Sequence, residues 1–258
     1  MPHLRSTLRV TDAQPYHPFP LEAIEQSICA RFAQTVAEHG NRCALLTPQR
    51  TWTYAELDAW SDALARALVQ RLDHGLEPVA LLLDQGATNV ATTLAVLKAG
   101  KCYVPLDPTH PATRSKELFG FSGAGLILTD AANREFAEGI AGDGAHALVV
   151  DHIESASPVL ALPNISKNDP AYIFFTSGTT GKPKGVVDSH RNVLHNIRRY
   201  TNALRITPAD RLTMIQSPSF SGTVSSMFTA LLNGATLLPF DVRAEGFVKL
   251  AAWLTNSK

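Results

Sequence analysis

Cysteine is scarce: three occur in 258 residues, Cys29, Cys43 and Cys102, an odd number whose spacing matches no metal-ligand motif. That excludes a disulfide framework and points to a reducing compartment with buried thiols. Cys102, between Lys101 and Tyr103 at the entrance of an apolar run, reads as a packing residue rather than a nucleophile. An excess of charge of one sign is also missing, with 23 Lys and Arg against 23 Asp and Glu. No net field draws the chain to nucleic acid or to an anionic membrane. Long hydrophobic runs are absent too. The first twenty residues carry Pro2, Pro15, Pro18 and Pro20 and no apolar stretch long enough for a signal peptide or a membrane span. Residues 1–20 therefore read as a leader or linker, and a cytoplasmic location is expected. His190 and His195 lie five apart, which does not place them on one helical face as a metal pair. No internal repeat or low-complexity block is visible.

What is present suits a compact domain. Hydrophobic residues make up 45% of the chain and charged ones only 18%, enough apolar material for a substantial core. Short apolar runs alternate with amphipathic stretches, which predicts an α/β fold with mostly parallel sheets flanked by helices. The strand candidates are Ala44 to Leu46, Val79 to Leu83, Leu126 to Leu128, Ala147 to Val150 and Ile173 to Phe175. Thr53 and Glu56 form a capping-box pattern before a helix whose Leu57, Trp60, Leu64, Leu68 and Leu72 share one face. A second helix is predicted from about Asn89 to Gly100, and a third over about 191–204 with Ser189 as its N-cap. His190, at the start of that helix, fits a capping or packing role at least as well as ligand contact. Met227, Phe228, Leu231 and Leu232 form the core face of a helix ending at Gly234, and residues 137–145, with three glycines, read as a loop.

The most informative stretch is Phe174 to Gly185, FFTSGTTGKPKG. Gly178, Gly181 and Gly185 allow a backbone that turns N–H groups toward an anion. Thr176, Ser177, Thr179 and Thr180 add hydroxyls, and Lys182 or Lys184 adds positive charge. A Walker phosphate loop needs four residues between its glycines, then Lys-Ser/Thr and a helix. Here only Thr179 and Thr180 separate Gly178 from Gly181, Pro183 follows Lys182, and Gly185-Val186-Val187 reads as a strand. A surface turn without a ligand is the alternative, weakened by ten consecutive small, hydroxyl or cationic residues.

This loop resembles the phosphate-binding signature of the adenylate-forming (AMP-binding) enzymes, most closely the adenylation domains of nonribosomal peptide synthetases. Thr51 to Leu57, TWTYAEL, and Leu97 to Asp107, LKAGKCYVPLD, continued by Pro108, Thr109, His110, Pro111 and Arg114, are similar to two earlier signatures of that family. The similarity runs from about residue 20 to the last residue. It implies the family's large N-terminal subdomain, in part, over residues 21–258. It further implies ATP-dependent activation of a carboxylic acid as an acyl-adenylate, with magnesium, and transfer to a phosphopantetheine thiol on a carrier-protein domain. By the same resemblance Thr176, Ser177, Gly178, Thr179, Thr180, Gly181 and Lys184 would hold the phosphates, with Lys184 the catalytic cation. No metal ligand is assigned.

Two departures qualify the resemblance. The chain stops at Lys258, within an apolar-periodic segment bearing Phe247, Leu250, Ala251 and Leu254. The family's later signatures, including the acidic magnesium residue, the ribose-binding aspartate, the hinge and the mobile C-terminal lysine, are not in it. Adenylation of family-like efficiency is not expected of this polypeptide by itself. Second, Phe220, Ser221, Gly222 and Ser225 align with substrate-binding positions, but the family's aspartate for an α-ammonium is replaced by Ser221. No Asp or Glu occurs between Arg211 and Phe240. A hydroxyl does not neutralise an ammonium in a partly closed pocket, so the expected substrate lacks a free α-amine or is held in another way. Small Gly222 and Ser225 leave room for a bulky acid. An acyl-CoA ligase, a noncatalytic nucleotide-binding remnant and a P-loop ATPase are the competing readings.

Overall fold

The computed structural model describes residues 16–72, 75–152, 160–177 and 183–256. Two sheets carry the architecture. The first is formed by β1 (Cys43–Leu46), β2 (Thr51–Thr53), β9 (Arg211–Met214) and β10 (Thr236–Pro239), in the order β2-β1-β10-β9. The second contains β3 (Pro78–Leu82), β4 (Cys102–Leu106), β5 (Leu126–Thr129), β6 (His146–Val149), β7 (Pro170–Ser177) and β8 (Pro183–Ser189), in the order β6-β5-β3-β4-β7-β8. Neighbours are parallel except for β1 with β2 and β7 with β8. All five strand candidates form strands, with ends shifted by up to three residues.

Helices α1 (Ile28–His39), α2 (Tyr54–Arg71), α3 (Ala87–Lys98), α6 (His190–Leu204) and α7 (Gly222–Leu231) share one core with both sheets. On the opposite face of the larger sheet, α4 (Ala112–Ser122) and α5 (Arg134–Ala141) form a second core. Strand β3 serves both: Val79 and Leu81 enter the first, Ala80 and Leu82 the second, as the two-residue period of a strand requires. Short α8 (Val242–Glu245) and α9 (Phe247–Asn256) complete the described chain. Among the described residues no helix is long and apolar enough to cross a membrane.

Local chemistry sets the element ends. The capping box is formed, with Thr53 Oγ1 accepting from the Glu56 amide at 3.1 Å and Glu56 Oε2 accepting from the Thr53 amide at 2.7 Å. Gly100, at φ 72°, turns the chain out of α3. The nearby Lys98 ammonium is buried and bonds Asp58 and Asp62 on α2 at 2.6 and 2.7 Å, so this stretch of the second signature ties two helices together. Ser189 caps α6 by accepting from the Asn192 amide at 3.2 Å.

Two expectations change. Residues 137–141 lie in α5 rather than in a loop. Ala137 and Ile140 are buried three apart, Arg134 and Glu138 pair across one turn, and these contacts outweigh the poor helix propensity of Gly139. At the other end of the chain, residues 16–20 of the expected leader pack onto α6. Phe19 is in the core, and its backbone N–H and C=O are both bonded by the Asn202 side chain.

Candidate functional site

The Gly/Thr-rich loop joins two antiparallel strands. Phe175 stands opposite Gly185, Thr176 opposite Lys184 and Ser177 opposite Pro183. A strand follows the loop, which removes the Walker geometry, where a helix must follow. Gly178, Thr179, Thr180, Gly181 and Lys182 lie outside the described residues. Thr176 is exposed at the hairpin mouth, its hydroxyl 3.4 Å from the Lys184 carbonyl. Lys184 is exposed beside it and makes no ion pair among the described residues. Gly185 does not take a positive φ. A Cβ there would sit 3.2 Å from Ile173 and 3.3 Å from the Phe175 ring, so this glycine serves packing across the hairpin rather than a turn toward an anion.

The hairpin mouth opens on a cleft of about 820 Å³. That is within the range of about 300–1,000 Å³ common for small-molecule sites. β7 contributes Tyr172, Phe174, Phe175 and Thr176, and β8 contributes Val186 and Asp188. From the start of α7 come Phe220, Ser221, Gly222 and Ser225, so every expected acyl-pocket residue shares one cleft with Thr176. One part of the lining is aromatic: Tyr172 and Phe174 meet edge to face with centroids 4.8 Å apart, and both contact Tyr103.

Details at the α7 end sharpen the expected roles. Ser221 is exposed at φ −60° and ψ −21°, not the extended conformation of a capping residue, and its hydroxyl caps no helix amide. It is left facing the cleft. Gly222 is small for a reason within the chain, because a Cβ would stand 2.8 Å from the Phe220 ring, which folds over the helix start. The room expected there for substrate is therefore partly filled by Phe220. Ser225 Oγ accepts from Asn196 Nδ2 at 3.2 Å, and Asn196 Oδ1 accepts from Arg199 at 3.0 Å.

This segment is held by the second signature. Asp107 is buried, and its carboxylate accepts from the Thr109 amide at 2.9 Å, from the Thr109 and Ser217 hydroxyls, and from Arg243 at 3.1 Å. Burial pulls its pKa upward, but the bonds from Ser217 and Thr109 prevail and hold it below the ordinary aspartate value. Ser217 in turn accepts from the Ser219 amide at 3.3 Å, and its carbonyl accepts from Thr223 at 2.9 Å. Asp107 thereby fixes the approach to Ser221 through Ser217, 110 residues away in sequence.

Sequence reasoning missed Tyr172, Asp188, Asn196, Arg199 and Tyr200 as cleft residues. A signal existed on α6: Asn192, Asn196, Arg199 and Tyr200 recur at spacings of three and four, opposite the buried Val193, Leu194, Ile197 and Thr201. The isolated Asp188 after Val186-Val187 was a second signal. Other candidate groups are structural. His190 is buried, its Nδ1 accepts from the Ile28 amide at 3.2 Å, and desolvation lowers its pKa to about 4. Burial pushes the Cys102 thiol up to about 11, consistent with packing rather than nucleophilic chemistry.

Comparison with known proteins agrees with this geometry. The family model described as AMP-binding enzyme matches residues 32–255. A plipastatin synthase of Bacillus subtilis is 37% identical over 214 residues, 81% of this chain and 6% of that protein. The N-terminal subdomain of Klebsiella oxytoca NpsA, solved with 3-hydroxybenzoyl-AMSN, superposes with a TM-score of 0.78 at 25% identity over 91% of this chain and 59% of that one. A variant of the nonribosomal peptide synthetase FmoA3 in its alpha-methyl-L-serine-AMP bound form gives 0.75 at 28% identity, over 82% of this chain and 24% of that one. The chain thus spans less than two thirds of each of these relatives. It belongs to the AMP-binding enzymes and is most like an adenylation domain of a nonribosomal peptide synthetase.

Proposed function

We propose that residues 21–258 supply the phosphate-gripping and acyl-recognising part of an adenylation site. That site activates a carboxylic acid with ATP in the cytoplasm and passes it to a phosphopantetheine thiol on a carrier domain. One observation carries this reading above the others: the mouth of the β7–β8 hairpin and the start of α7 open on the same cleft. An acid bound in the cleft would meet a nucleotide whose phosphates lie at Thr176 and Lys184.

In the first step a carboxylate oxygen attacks the α-phosphorus in line and pyrophosphate leaves with the bonding pair. In the second, a thiolate attacks the acyl carbon and AMP leaves. The protein's part is to orient the reactants and to offset charge that builds on the phosphates. The exposed Lys184 ammonium and Thr176 hydroxyl suit an anion, and Ser177, Gly178, Thr179, Thr180 and Gly181 complete the proposed grip. Magnesium enters as the counter-ion of the ATP substrate, carried chiefly on its phosphates. No group of three metal-ligating side chains occurs among the described residues.

The acid activated lacks a free α-amine. Phe220, Ser221, Gly222 and Ser225 are the proposed acyl contacts. Ser221 stands at the N-terminus of α7, where the helix dipole places partial positive charge that disfavours an ammonium. Among the described lining residues no carboxylate at that wall offsets it. The ligands named for NpsA, 3-hydroxybenzoyl-AMSN, anthranilyl-AMSN and 3-hydroxyanthranilyl-AMSN, carry aryl acyl groups without an α-amine. Pyrophosphate exchange by the complete gene product, with aryl, hydroxy and keto acids beside L-α-amino acids, tests the reading. Exchange with the amine-free acids is expected, and exchange confined to L-α-amino acids would overturn it. Binding of MgATP without exchange on any acid would instead establish a noncatalytic nucleotide-binding module.

A further inference from the structure

Asp188 is the acidic side chain that faces the cleft among its described lining residues, and neither the phosphate grip nor the wall at Ser221 uses it. It lies on β8 opposite Tyr172. Tyr172 and Thr176 are four residues apart on β7, so Asp188 sits about 13 Å along the strands from the phosphate mouth. It lines the cleft at the end of the hairpin remote from Thr176. One carboxylate oxygen accepts from the Tyr172 hydroxyl at 2.5 Å and the other from Asn192 Nδ2 at 3.0 Å.

Those two bonds orient the carboxylate without neutralising it. Burial, and then the Asp188 carboxylate itself, raise the Tyr172 pKa, so the phenol stays a protonated donor. Each carboxylate oxygen keeps a free lone-pair direction. Arg199 lines the same cleft, yet it donates to Asn196 and lies over the Tyr200 ring, and no ion pair joins it to Asp188 among the described residues. A half-buried, pre-oriented and unpaired carboxylate is an unfavourable wall for a purely hydrocarbon acyl group, because filling the pocket would desolvate it with no compensation. A group that donates to it reverses that penalty.

Resting on the adenylation reading above, we propose that Asp188, oriented by Tyr172 and Asn192, is a specificity-determining residue of the acyl pocket. It selects carboxylic acids that carry a hydrogen-bond donor, an ammonium or a hydroxyl, at the end remote from the carboxylate. The pocket is thus closed to an α-ammonium at Ser221 and open to a distal donor at Asp188. Asp188 lies on β8 and Ser221 at the start of α7, so the two line the cleft from different elements and one acid can satisfy both conditions.

The test uses stable adenylate mimics, acyl sulfamoyl adenosines, carrying benzoyl, para-hydroxybenzoyl or para-aminomethylbenzoyl groups. Calorimetric titration of the wild-type chain and of Asp188→Asn reads the affinities. Wild type should bind the aminomethyl mimic about tenfold or more tighter than the benzoyl mimic, with the hydroxyl mimic between them. In Asp188→Asn the advantage of the aminomethyl mimic should vanish. Benzoyl binding should tighten in the variant, because a neutral amide is less costly to desolvate than a carboxylate, and that gain also shows that the variant pocket is folded. No donor preference in wild type, or equal weakening of all three mimics in the variant, overturns the role of Asp188 while leaving the adenylation reading intact. Failure of every mimic to bind wild type overturns both.

Discussion

Lowering the pH from 7 to 5 should destabilise this fold through one buried imidazole. His190 begins α6 and is 1% exposed. Its neutral ring accepts the Ile28 amide at the start of α1, and its own amide donates to the Asp169 carbonyl at 3.1 Å. Protonation would remove the acceptor, orphan that amide and place a cation against the positive end of α1, with Asp169 in partial compensation. The pKa falls from the ordinary 6.5 to about 4 because burial disfavours the charged ring. Between those values the unfolded chain binds the proton and the folded chain does not. Stability is therefore complete above pH 6.5 and drains away as the pH falls toward 4. Linkage gives a loss of about 2 kcal/mol between pH 7 and 5, rising to about 3 kcal/mol at pH 4. Urea unfolding followed by tryptophan fluorescence at several pH values measures it, with His190→Gln as the control that keeps an acceptor but does not titrate. The difference between the two proteins should change by about 2 kcal/mol over that window. Parallel pH profiles would refute a role for the imidazole.

Three further outcomes follow from the site. Lys184→Ala should weaken MgATP binding about tenfold to a hundredfold, read by calorimetry, with an unchanged circular dichroism spectrum because the ammonium makes no ion pair among the described residues. Ser221→Asp should restore a partner for an α-ammonium at the start of α7 and raise pyrophosphate exchange with L-α-amino acids about tenfold or more relative to aryl acids. Gly185→Val should cost about 1–3 kcal/mol in urea unfolding, since the added carbons meet Ile173 and Phe175 across the hairpin.

The fold was legible wherever local chemistry decides it. The box at Thr53 and Glu56, the cap at Ser189 and the stop at Gly100 need only a few neighbouring residues, and each forms as the sequence indicates. Pairing was not legible in the same way. β1 lies beside β10, with Leu45 opposite Leu237, and nothing near Leu45 in sequence specifies a partner so distant. α5 was hidden because the glycines around it argue for a loop while its stabilising burial is tertiary. The site divides along the same line. Thr176, Lys184 and the residues from Phe220 to Ser225 belong to motifs that can be read in order. Asp188 becomes a cleft residue only when β7, β8, α6 and α7 converge, and Asp107 takes its part through Ser217, Thr109 and Arg243. Gly185 and Gly222 show the limit of reading small residues as room for a ligand, because aromatic rings of the chain itself lie against both.

If the β7–β8 hairpin mouth and the start of α7 bound one adenylate site, a single ligand must protect both at once. Hydrogen–deuterium exchange of the chain with and without a benzoyl sulfamoyl adenosine reads that coupling peptide by peptide. Slowed exchange is expected in peptides covering 172–188 and 219–225, with little change in α4, α5 and the strands β5 and β6 beneath them. Slowed exchange confined to other segments, or none at saturating mimic, would contradict a shared site.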